Sequence, residues 1–136
     1  MIADATPMSA DVSREELDVI SGKVIGAAQR VSSGLGWGFL EKVYENALVV
    51  ELLKLGLRVE RQPAVHVRYE GFVVGDFYPD LVVEDALIVE IKAVSGLLPE
   101  HRQQCLNYLR ATTKRVCLLL NFGRPRLELK RLVWPF

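Results

Sequence analysis

The stretch "GDFYPDLVVEDALIVEIKAV" (Gly75–Val94) decides the fold. It reads as two β-strands around the acidic turn Glu84-Asp85. The second, "ALIVEIK", is made of the Leu, Ile and Val of a buried strand, yet it carries Glu90 and Lys92. Side chains alternate along a strand, so these two point the same way. Pairing through the turn makes Asp80, the last residue of Tyr78-Pro79-Asp80, a near neighbour of Glu90 across the sheet. Two carboxylates that close repel unless one takes a proton or a cation sits between them. Mg²⁺ suits such a place, because one or two carboxylates hold it while water and phosphate oxygens complete its octahedron. Lys92 lies about 6–7 Å further along the same face by strand rise. There its amine could orient or deprotonate an attacking water, or meet the charge that develops on a phosphate. These parts suit metal-assisted hydrolysis of a phosphodiester. The competing reading is a salt bridge at a strand end, Glu90 with Lys92 or each with another neighbour.

Outward from this segment the periodicity changes twice. Towards the N-terminus, "SREELDVISGKVIGAAQRV" opens with a capping box, Ser13 and Glu16, and continues with Leu17, Ile20, Val24 and Ala27 at helical spacing. "SSGLGWG" (Ser32–Gly38) should end that helix. Its glycines make a helix–helix joint rather than a phosphate loop, because no strand precedes them and no Gly-Lys-Ser/Thr follows. "FLEKVYENALVVELLKL" predicts a second helix, with Gly56 as its C-cap. "LRVERQ", "AVHVRYE" and "FVVGDFYPDLVVE" alternate or run β-branched, with Glu70-Gly71 as a hairpin turn. "ALIVEIKAV" should lie centrally in the sheet. Pro99 starts a third helix, "PEHRQQCLNYLRATT". "RVCLLLNF" is another apolar strand, and "RLELKRLVW" an edge strand whose Lys130 and Arg131 discourage pairing.

Two helices add chemical groups. His101, Gln104 and Tyr108 fall on one stripe of the third helix. Glu41 and Tyr44 stand one turn apart at the start of the second, where Glu41 could hold a metal or its water, or be a surface charge beside Lys42 and Glu45. Both tyrosines are expected to be half-buried rings with hydroxyls at the surface.

Length and composition set the outer limits. The 136 residues fit one domain, with residues 1–12 as a flexible tail and 13–136 as the folded unit. Cys105 and Cys117 lack zinc-ligand spacing, and the chain shows neither a signal peptide nor an apolar run long enough to span a membrane. The expectation is a cytoplasmic protein. The net charge is zero, but from His101 onward eight Lys and Arg stand against one acid, Glu128. Arg102, Lys114, Arg115, Arg124 and Arg126 are therefore candidates for a nucleic-acid surface, against the plainer reading of solvated faces. An apolar-rich small domain with a late edge strand is also compatible with a homodimer or a place in a larger complex.

The residues also resemble a known family. "GFLEKVY", with Gly38, Glu41 and Tyr44, is similar to the Gly-x-x-Glu-x-x-Tyr signature of the GxxExxY proteins. "YPDLVVEDALIVEIKAV", "HRQQCLNYLRAT" and "LLLNFG" resemble the rest of that pattern, in order, over roughly Leu17–Trp134. The family is assigned to the PD-(D/E)XK nuclease-like superfamily. The resemblance implies a single-domain α/β fold of the restriction-endonuclease-like type, a mixed central β-sheet flanked by helices. It further implies a Mg²⁺- or Mn²⁺-dependent nuclease acting on DNA or, second, RNA. In that pattern Asp80, Glu90 and Glu41 hold the metal, Lys92 completes the (D/E)-x-K motif, and Gln104 with Tyr108 matches a Gln-x-x-x-Tyr motif of some exonuclease branches. The alternative it leaves open is a non-cutting module that keeps the fold and grips nucleic acid or a protein.

Overall fold

A computed structural model describes residues 12–134. Helical periodicity gives α1 (Arg14–Leu35) and α2 (Glu41–Lys54). The β-branched middle gives β1 (Val59–Arg61), β2 (Val65–Tyr69), β3 (Phe72–Phe77), β4 (Leu81–Val83) and β5 (Leu87–Lys92). After them come α3 (Pro99–Ala111), β6 (Val116–Asn121) and β7 (Glu128–Val133). Five strands form one mixed sheet in the order β1-β4-β5-β6-β7. β5 lies at its centre, antiparallel to β4 and parallel to β6, and α3 makes the crossover that parallel neighbours require. β2 and β3 pair only with each other, as a separate hairpin.

Alternation along β5 sorts the core into two layers. Leu87, Val89 and Ile91 face α1 and α2, packing with Leu17, Val24, Leu48 and Leu52. Ile88 faces α3, packing with Cys105, Leu109, Cys117 and Leu119. Glu90 and Lys92 continue the Ile88 side, so their side chains emerge on the α3 layer. The central strand is buried over Leu87–Ile91, as its composition predicts.

The structure departs from the expected elements in three places. α1 runs through Ser32 and Ser33 to Leu35 and stops at Gly36, whose φ of 73° lies in the left-handed region. α2 begins at Glu41, with Leu40 outside it, and ends before Gly56. The run expected as one strand over 75–83 is two, because β3 ends at Phe77 and β4 starts at Leu81 in the other sheet. Pro79 has no N–H to donate to a ladder, and Tyr78 before it is restricted as well. The turn predictions hold. Glu84 and Asp85 have φ of 54° and 53°, Glu70 and Gly71 of 50° and 85°, the left-handed pairs of two-residue hairpins. Of the expected tail, residues 1–11 lie outside the described residues, while Val12 packs against the first core layer. No described helix is long and apolar enough to cross a membrane.

Candidate active site

The register of β4 on β5 pairs Leu81 with Val89, which leaves Asp80 beside Glu90 at the end of the sheet. Each carboxylate is then held by a backbone N–H from the opposite side of the pair. Glu90 Oε1 accepts from the Asp80 N–H at 2.8 Å, and Asp80 Oδ2 accepts from the Ile91 N–H at 2.8 Å. One oxygen of each carboxylate is spent in this reciprocal clasp, leaving Asp80 Oδ1 and Glu90 Oε2 for another partner. The Asp80 carbonyl in turn accepts from Gln62 N–H at 2.9 Å, tying the pair to the chain after β1.

Electrostatically the clasp is under load. Glu90 is only 3% exposed, and burial, then the Asp80 charge, push its pKa up to about 8. Burial also raises Asp80, although the Ile91 N–H opposes it. Glu41, at the first turn of α2 and exposed at the surface, is raised by partial desolvation and then by the Asp80 charge. Lys92 favours the ionised form of all three carboxyls. Among the described residues no ion pair joins Glu90 to Lys92, so the salt bridge weighed from the sequence is not what holds Glu90 in place.

Beside Lys42 the sequence pattern of Glu45 is that of a surface charge next to Glu41, and the structure corrects this. It is buried, with Oε2 at 3.2 Å from both Lys42 Nζ and Arg61 Nη2. Its charge raises the pKa of Asp80 and of Glu41. Arg61 also donates to Asn46 Oδ1. The sequence signal was present in the one-turn spacing from Glu41, but the burial depends on β1 folding over α2.

α3 brings Tyr108 into the field of the same carboxylates. Both tyrosines expected to be half-buried are buried. Tyr108 stacks on Phe77 at 4.4 Å and 3°, and burial, then the Glu90 and Asp80 charges, raise its pKa. Gln104 is half-buried one turn earlier. His101 leaves their stripe to cap the helix, its Nδ1 accepting from Leu98 N–H at 3.0 Å. Tyr44 stacks on Phe122 at 4.9 Å, and its hydroxyl donates to the Gly36 carbonyl at 2.7 Å and accepts from Phe39 N–H at 3.1 Å. It therefore pins the loop that leads into Glu41. Gly38 within that loop has φ of 112°, open to glycine almost alone.

A second brace was not assigned from the sequence. Buried Asn121 at the end of β6 accepts from Val94 N–H (2.9 Å) and Gly123 N–H (3.0 Å) and donates to the Val94 carbonyl (2.9 Å) and Glu128 (3.0 Å). A Cβ on Gly123 would lie 2.3 Å from the Val94 carbonyl oxygen. The turn after Lys92 is thus fastened to the neighbouring strand.

The basic residues divide. Arg124 and Arg126 lie exposed after β6, at the end of the sheet that carries Lys92, and Arg102 is exposed in the first half of α3. Lys114 and Arg115 precede β6, at the opposite end, and Lys114 pairs with Asp85 at 3.2 Å. Those two cannot share a surface patch with Lys92.

As a cation site, the cluster has a definite character. Among the described residues no three Asp, Glu, His or Cys side chains converge closely enough to hold an ion together. Asp80 and Glu90 fit an ion held by two carboxylates and completed by water, in the field of the Glu41 charge. Two close, raised carboxyls without a compensating ion pair have the donor chemistry for it.

No curated protein sequence matches the chain. Among solved structures, the crystal structure of SSO0001 superposes with a TM-score of 0.53 at 17% identity, over 71% of this chain and 51% of that one. The chain thus spans about half the length of that protein. An alkaline exonuclease from Laribacter hongkongensis aligns at 14% identity, over 88% of this chain and 82% of that one, with a TM-score of 0.46. The PD-(D/E)XK nuclease superfamily, whose members usually use divalent metal ions, matches residues 18–132. With its mixed sheet and with Asp80, Glu90 and Lys92 at one end of it, the chain belongs to the PD-(D/E)XK nuclease superfamily.

Proposed function

We propose that residues 13–136 form a nuclease-like unit that hydrolyses phosphodiester bonds in DNA, or second in RNA, with Mg²⁺ or Mn²⁺, and that the chain is a GxxExxY protein. The observation that carries this reading is the mutual clasp of Asp80 and Glu90. It holds two carboxyl groups together in a buried place where backbone N–H groups compensate only one oxygen of each, so that Glu90 keeps a proton unless a cation takes its place. The ion, when bound, supplies positive charge to polarise the phosphate and the attacking water.

The chain's own groups then have distinct tasks. Asp80 and Glu90 would hold the ion through their remaining oxygens, and Glu41 would complete its shell directly or through water. Lys92 orients the attacking water and faces the negative charge that grows on the phosphate. Gln104 and Tyr108 position that water or the scissile phosphate, and the raised pKa of Tyr108 keeps its hydroxyl a donor. Arg102, Arg124 and Arg126 track the backbone. The GxxExxY signature acquires a physical meaning: Gly38 turns the loop, Tyr44 pins it, and Glu41 is delivered to the site.

The test is cleavage of labelled single-stranded DNA, duplex DNA and RNA with Mg²⁺, Mn²⁺ or EDTA. Wild type is compared with Asp80→Asn and Lys92→Ala. Asp80→Asn keeps an acceptor for Ile91 N–H while removing the charge. Metal-dependent cutting by wild type alone supports the reading. Intact substrate in every lane, or variants that cut as well as wild type, would sink it in favour of a binding module.

A further inference from the structure

The β2–β3 hairpin leaves the main sheet and packs on α3 through the Phe77–Tyr108 stack. Between hairpin and helix lies an open cleft of about 660 Å³. Val67 and Phe77 line it from the hairpin, and Gln104, Asn107, Tyr108 and Arg110 from α3. No lining residue is acidic. The cleft and the carboxylate site share Tyr108, whose hydroxyl feels the charges of Glu90 and Asp80.

We infer that this cleft holds a short unpaired nucleotide segment and leads it to the carboxylates, so that the substrate is single-stranded beside the bond to be cut. The inference rests on the reading of the carboxylate site as a phosphodiesterase. Three observations favour this occupant. The volume is that of a site for a small ligand, enough for a nucleotide or two and far too small for a duplex. The apolar floor of Val67 and Phe77 suits the faces of unstacked bases, which paired bases keep buried within the helix. Arg110, exposed at the rim with its guanidinium over the Trp134 ring, faces the phosphates outside; no lining residue is acidic, and the Asp76 carboxylate is paired with lining His66.

The experiment measures binding of a short fluorescein-labelled oligothymidylate and of a blunt duplex by anisotropy, in EDTA so that nothing is cut. Ala111→Trp fills the cleft from the end of α3, Val67→Trp fills it from the hairpin, and Arg110→Gln removes the rim charge. Melting curves show which variants are folded. Single-strand affinity should fall roughly tenfold or more in either filled variant and several-fold in Arg110→Gln, the loss expected from removing one stacked base or one phosphate contact. Blunt duplex should bind weakly and be little affected. Manganese-dependent hydrolysis of bis(p-nitrophenyl) phosphate, which needs the carboxylates but not the cleft, separates the two readings. If that ester is untouched while the filled variants lose single-strand affinity, the cleft assignment stands and the catalytic one fails. Folded filled variants that bind single strands as wild type does would overturn the cleft assignment. So would duplex binding that is equally tight and equally lost.

Discussion

At the scale of single residues, Glu90 has the clearest consequence. Its pKa of about 8 in the folded chain exceeds the ordinary 4.5. Between those values the native state keeps a proton that the unfolded chain has released, so stability is greatest below the lower value and falls as pH rises. In EDTA, the unfolding free energy should decline from about pH 5 to about pH 8, by up to roughly 1.4 kcal/mol per pH unit from this group, and the melting temperature should fall with it. Glu90→Gln should flatten that decline, and excess Mn²⁺ should reduce it. A wild-type profile that rises over this range would show that Glu90 is not held in its neutral form. The clasp residues were legible because alternation and a two-residue turn fix which side chains meet. Glu45 was not. Beside Lys42 it has the local pattern of a surface charge, and only Arg61, brought in from β1, turns it inward.

The elements that hold the site in shape make their own predictions. Tyr44→Phe keeps the stack on Phe122 but removes both hydroxyl bonds to the 36–39 loop. It should cost about 1–3 kcal/mol by thermal or urea unfolding, because the Gly36 carbonyl loses its donor and the Phe39 N–H its acceptor. Gly123→Ala is more severe. The added methyl overlaps the Val94 backbone, so either the turn after Lys92 moves or the protein is destabilised by several kcal/mol. Cleavage should fall with it even at temperatures where the variant is folded, and wild-type activity in a folded Gly123→Ala would remove the turn from the site's support. Helices and hairpin turns were readable because capping boxes and left-handed turn pairs are local. The division of 75–83 was not, since aromatic Phe77 and Tyr78 before Pro79 and aliphatic Leu81, Val82 and Val83 after it are all strand formers. What separates them is which sheet each one joins.

For the whole molecule, one sheet serves two core layers, so neither helical layer has an independent floor. Far-UV and near-UV circular dichroism should therefore report one coincident unfolding transition. Separate transitions for the two layers would contradict this. Asp18 and Arg131 join the first helix to the last strand at 2.9 Å, but both side chains are solvated. A double-mutant cycle should give less than about 1 kcal/mol of coupling, fading with salt. The order of layers followed from apolar runs in β5 and β6. The cleft did not, because it forms only where a hairpin outside the main sheet meets a helix some thirty residues further along.

The mutual clasp also equips the protein with a reporter of its own state. The two main-chain amides that it engages, at Asp80 and Ile91, sit in electric fields set by the carboxylates themselves. Their proton resonances should move together when either carboxyl gains a proton or shares its oxygens with a cation, and their exchange with deuterated solvent should slow as the clasp tightens. Two peaks in an amide spectrum would then follow occupancy of the site with no substrate, label or cleavage needed.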